Sequence, residues 1–135
     1  MSTETEAPTF TIAGFSHLNL EVSDLDRSLA FYRDTLGLEQ VWRPENDTNR
    51  GARLMVGSAQ IHLSQVAKVT PRENYFNPHV ALLIPFEAFE STCAAVEANG
   101  IEWFREPNSR DERGRTVWAA FIRDPDDHLV ELTTM

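Results

Sequence analysis

Four residues of this chain carry side chains that could hold a metal ion together: His17 in "FSHLNL", His62 in "AQIHLS", His79 in "PHVALL" and Glu131 in "HLVELT". Each segment reads as a strand, so parity assigns its faces. His17 shares a face with Phe15 and Asn19, His62 with Gln60 and Ser64, His79 with Ala81 and Leu83, and Glu131 with Leu129 and Thr133. His128 points the other way, which makes it structural. Imidazole nitrogens with one carboxylate suit a borderline divalent ion such as Zn, Ni, Fe(II) or Mn. A glutamate in a core strand otherwise carries a desolvation cost of several kcal/mol. The competing reading makes each histidine a satisfied structural residue and pairs Glu131 with an arginine such as Arg53 or Arg115. Singly, each residue suits that reading better. Jointly, the equivalent placement of all four in a repeat favours the metal.

The repeat supplies the elements that must position them. A strand over about Phe15–Val22 is followed by the helical pattern "SDLDRSLAFYRDTLGLE", in which Leu25, Leu29, Tyr32 and Leu36 keep to one face, Ser23 with Asp26 resembles a capping box, and Gly37 is the stop. The second half begins again with "HVALLI" and "PFEAFESTCAAVEANGIE": Pro85 opens the helix, Phe86, Phe89, Cys93 and Val96 form its stripe, and Gly100 ends it. His17 stands 20 residues before Gly37 and His79 stands 21 before Gly100, which marks two copies of one unit. Strand candidates follow each helix: "LEQVWR", "ARLMVG" and "AQIHLSQ", then "IEWFRE", "TVWAAFI" and "HLVELT". Two strand–helix–three-strand units, about 12–70 and about 77–135, are expected to pair around a shared interior as one α+β domain, behind a frayed acidic tail over residues 1–11.

At 135 residues the chain has room for one such core. A net charge of −9 and a pI near 4.8 oppose nucleic acid and anionic membranes as partners. The longest apolar runs fall short of a membrane span, and "MSTETEAPTF" has neither the charge nor the apolar core of a signal peptide. A lone cysteine, Cys93, is expected to be packing material in a reducing, cytoplasmic setting.

The stretches "SHLNLEVSDLDRSLAFYRDTLGLE", "PHVALLIP" and "FIRDPDDHLVEL" together resemble the vicinal oxygen chelate superfamily, which includes glyoxalase I, fosfomycin-modifying enzymes, extradiol dioxygenases and bleomycin resistance proteins. The resemblance runs from Phe15 to Thr133. It implies two tandem βαβββ modules forming a cupped mixed sheet, a homodimer, and a divalent metal held by His17, His62, His79 and Glu131. Two departures stand out. Glyoxalase I has a glutamate or glutamine, doubling as the proton-moving base, where His62 stands. The usual Asp-Pro-Asp-Gly turn ends here in Asp127, which must adopt the left-handed conformation at some cost.

Three functions remain open on these grounds. The first is a metal-dependent lyase or isomerase of glyoxalase type, with a small chelating substrate and with Glu131 and His62 as its catalytic groups. The second is an Fe(II) dioxygenase using His17, His79 and Glu131, with His62 as acid or base. The third is a metal-free drug-binding protein. Trp42, Phe76, Trp103, Phe104 and Trp118 are candidates for a substrate wall as well as for core. The segments "WRPENDTNRGAR" and "FREPNSRDERGR" read as polar loops that could carry Arg43, Arg50, Arg53, Arg113 or Arg115 toward an anionic substrate.

Overall fold

The computed structural model describes residues 10–42, 50–71 and 78–135. Most of the acidic tail, together with Arg43 and Phe76, therefore lies outside the described residues.

Strand β1, His17–Val22, alternates as its sequence does, with Leu20 and Val22 buried and His17 and Asn19 exposed. Helix α1, Leu25–Leu29, starts one residue later than the capping-box reading expects. Asp24 is the cap, its carboxylate accepting the Arg27 N–H at 3.2 Å. Ser23 instead bonds Asp126 of the second module through both its N–H and its hydroxyl, a long-range contact that outbids the local cap. The helix then widens into a π-helical segment, Ala30–Thr35, where the Leu36 N–H reaches back to the Phe31 carbonyl at 2.9 Å. Leu25, Leu29 and Tyr32 are buried as their spacing requires. Gly37, at φ 81°, closes the segment while the Leu38 N–H bonds the Tyr32 carbonyl at 3.0 Å.

Strands β2 (Glu39–Trp42), β3 (Gly51–Val56) and β4 (Ala59–Gln65) complete the first sheet in the order β1-β4-β3-β2. The second module repeats it: β5 (His79–Leu83), α2 (Phe89–Ala98), β6 (Trp103–Glu112), β7 (Arg115–Arg123) and β8 (Leu129–Thr133), in the order β5-β8-β7-β6. First and last strands of each module pair in parallel, the others antiparallel. The tandem α+β reading holds.

Two local expectations change. A 3₁₀ turn over Phe86–Ala88 precedes α2, and its tighter winding rotates Phe86 off the apolar face, leaving it 59% exposed while Phe89 and Val96 are buried. The polar segment "FREPNSRDERGR" is no loop: it forms most of β6 and turns into β7 at Arg113 and Gly114, both at positive φ (52° and 78°), as a two-residue hairpin requires. As an edge strand, β6 keeps its charges in water, so composition hid the strand.

One hydrophobic cluster serves both modules. Leu20, Leu29, Ile61 and Leu63 of the first meet Phe89, Val96, Ile122 and Leu132 of the second, and Cys93 packs against them as expected. Polar contacts reinforce this joint. The Tyr32 hydroxyl donates to buried Asp124 at 2.6 Å, and His128 Nε2 lies 2.6 Å from the Glu21 carbonyl oxygen, the structural place its parity indicates. Asp127 holds φ 65°, so the turn adopts the left-handed position without its glycine.

Candidate metal centre

His17 opens β1, and its side chain leaves the sheet on the face opposite the core residues Leu20 and Val22. Register places Asn19 directly opposite His62, so His17 and His62 are diagonal neighbours across the parallel β1–β4 pair. Their rings stack, with centroids 3.9 Å apart and planes inclined by 13°. In the second module Ala81 stands opposite Glu131, which makes His79 and Glu131 the same diagonal pair across β5 and β8. There His79 Nε2 lies 3.1 Å from Glu131 Oε1, with side chains 29% and 13% exposed. Phe121 backs this pair, its ring edge-on to His79 at 5.5 Å.

The structure thus assembles the four residues as two pairs, one per sheet. Among the described residues no group of three or more His, Cys, Asp or Glu side chains gathers. The modules do share one interior, as expected, but it is apolar: they join through the faces that carry Leu20, Ile61, Ile122 and Leu132, and the four donors lie on the other faces of their strands. Leu83, which shares the face of His79, is 70% exposed, whereas Leu129 and Thr133, which share the face of Glu131, are buried. Glu131 pairs with His79, not with Arg53, which lies in the other sheet, nor with Arg115, which stands near the hairpin tip beyond the end of β8.

The chemistry of each pair suits a metal. Two ligands at about 2.1 Å from one ion and at right angles to each other are about 3 Å apart, which is the His79–Glu131 separation. Coordination needs neutral imidazole. Burial, then His17, then Arg53 push the His62 pKa below its ordinary value. Gln60, two residues along the same face, holds His62 Nε2 at 2.8 Å, and Ser16 holds His17 Nδ1 at 3.0 Å. With Gln60 accepting, the lone pair of His62 is left on Nδ1. These orienting residues went unread in the sequence; a glutamine at i−2 on a histidine's own strand face is the signal that marks the first.

The aromatic candidates divide. Trp118 packs near Phe89 at 5.8 Å, and the Trp103 N–H donates to Glu97 at 3.1 Å, so both serve the helix side. Arg123 covers Phe104 at 4.7 Å. Trp42 alone of the described candidates shares the face of His62, with Arg53 between them. No helix among the described residues is long and apolar enough to cross a membrane.

A family model described as Glyoxalase/Bleomycin resistance protein/Dioxygenase superfamily matches residues 14–132. A probable lactoylglutathione lyase from Vibrio cholerae is 30% identical over 122 residues, covering 86% of each chain. A glutathione transferase FosA from Serratia marcescens is 28% identical over 123 residues, covering 90% of this chain and 80% of that protein. Among solved structures, a variant of the fosfomycin resistance protein FosX from Listeria monocytogenes, complexed with Mn(II) and dihydroxypropylphosphonic acid, superposes with a TM-score of 0.72 at 24% identity, covering 93% of this chain and 94% of that one.

Proposed function

The chain belongs to the Glyoxalase/Bleomycin resistance protein/Dioxygenase superfamily, and from that premise we propose that it is a metal-dependent lyase or isomerase of glyoxalase type, acting on a small molecule that offers two adjacent oxygens to a divalent ion. The observation that carries this reading is the repeated diagonal of donors, His17 with His62 in one sheet and His79 with Glu131 in the other. The name of the Vibrio cholerae relative supports the reaction class, and the Mn(II) of the Listeria protein supports a divalent ion.

On this reading His17, His62, His79 and Glu131 are the ligands, and Zn, Ni, Fe(II) or Mn is the ion. Each sheet offers two donors, so a two-fold homodimer completes the set: His17 and His62 of one protomer meet the partner's His79 and Glu131, and the symmetry does so twice. When bound, such an ion supplies Lewis-acid stabilisation of charge developing on substrate oxygens. The chain's own groups hold and move the proton. Glu131 offers a carboxylate oxygen that takes a proton from one substrate carbon and returns it to the next, an isomerisation that consumes no other reactant. His62, kept neutral and held by Gln60, is the second acid–base candidate.

Metal analysis of protein purified without added ions, followed by hemithioacetal turnover under nitrogen, tests the reading. About one ion per chain and turnover without oxygen are expected. A protein that takes up none of Ni, Zn, Mn or Fe(II) would sink it, and oxygen uptake with a catechol would move the assignment to a dioxygenase.

A further inference from the structure

The face that carries His17 and His62 also carries a cation. Asn19, His62, Arg53 and Trp42 stand opposite one another in register, one residue from each of β1, β4, β3 and β2. The guanidinium carbon of Arg53 lies 4.6 Å over the Trp42 ring. Arg53 is exposed, and among the described residues no carboxylate pairs with it. Among the described residues, the carboxylates nearest by register face other groups: Glu21 accepts the Thr70 N–H at 2.8 Å, and Glu39 stands opposite Met55.

Cation–π attraction to the indole restrains the guanidinium while leaving N–H donors of its fork available to a ligand. A fork of this kind matches two oxygens of one oxyanion, and part of its ordering entropy is already lost before anything binds.

We infer that Arg53, laid on Trp42, is an oxyanion subsite beside the His17–His62 pair, so that the molecule bound here carries a carboxylate or phosphonate in addition to its chelating oxygens. The inference rests on the glyoxalase-type reading for the chelating part alone. The subsite consists of side chains within one sheet and persists without the ion.

Hemithioacetals of methylglyoxal with 3-mercaptopropionate, 2-mercaptoethylphosphonate and neutral 2-mercaptoethanol provide the test. Each adduct is assayed for turnover by the metal-loaded protein and for binding to the metal-free protein by saturation-transfer NMR. Arg53→Gln is expected to raise KM for at least one anionic adduct about tenfold while kcat and the KM of the neutral adduct stay put, with a matching loss of anion binding to the metal-free protein. Arg53→Lys, which keeps the charge and loses the fork, should fall between. Whichever anion shows the larger effect identifies the group. Equal changes for all three adducts, or none, would overturn the subsite. Should no adduct be turned over at all, the glyoxalase reading fails, and the subsite is decided by the metal-free binding alone: wild type and Arg53→Gln binding the anions equally would overturn it.

Discussion

His17 and His62 lie ring upon ring, centroids 3.9 Å apart, in the sheet opposite to the one that holds His79 and Glu131. Two neutral imidazoles this close offer two nitrogen donors to one divalent cation.

Replacing His62 by Gln should therefore lower metal affinity by about 100-fold, the scale on which even orienting partners of ligands are felt. Because His62 is only half-buried, thermal stability should change by less than about 0.5 kcal/mol. Competition with a chelating dye reads the first, and calorimetry the second. Unchanged affinity would remove His62 from the ligand set and leave His17, His79 and Glu131.

Completing the site across a dimer makes a specific demand on mixed variants. The double variant His17→Ala/His62→Ala and the double variant His79→Ala/Glu131→Ala should each be inactive alone. In a mixed dimer one site loses all four ligands and the other keeps all four. Half the dimers in a random mixture are mixed, each with one intact site of two, so about a quarter of wild-type activity and metal content should return. Failure to recover either, with mixed dimers present by native mass spectrometry, would place the whole site in one chain.

The joint between modules gives a stability that depends on pH. Burial raises the Asp124 pKa above its ordinary value of 3.8, against the lowering effect of the Tyr32 hydroxyl, of His128 and of the backbone N–H groups of His128 and Asp126. A carboxyl whose folded pKa is raised favours folding while it is protonated, so its contribution fades as pH climbs from 3.8 through the folded value. Tyr32→Phe removes a donor to the ionised form and should cost about 1.5–3 kcal/mol at pH 7, with a smaller loss near pH 4. Urea melts at the two pH values measure this, and a deficit independent of pH would contradict it.

Asp127 occupies φ 65°, where a side chain other than glycine is strained. Asp127→Gly should relieve this and raise stability by about 0.5–1 kcal/mol. Its N–H bond to the Asp124 carbonyl, 3.0 Å, is made by the backbone and survives the change. A lower melting temperature would show that the aspartate side chain stabilises the turn by more than the strain costs.

Much of the fold was legible because its signals are local. Gly37 and Gly100 end their helical segments, alternation marks β1 and β4, and parity assigned His128 to the side where it meets the Glu21 carbonyl. Elements whose form depends on distant partners were misread. Ser23 was taken from its cap by Asp126, and β6 hid its ladder to β7 beneath an exposed, charged exterior.

For the candidate site, the amino-acid order by itself determined which neighbours share a strand face with His17, His62, His79 and Glu131, because side chains alternate whatever the strand later packs against. Which of those faces meet was decided only by the tertiary structure. The two helix-covered faces bury their apolar side chains together, and that shared core leaves the donors as two separate pairs. Pairing of whole faces depends on the sum of many long-range apolar contacts, and no spacing within a single module records it.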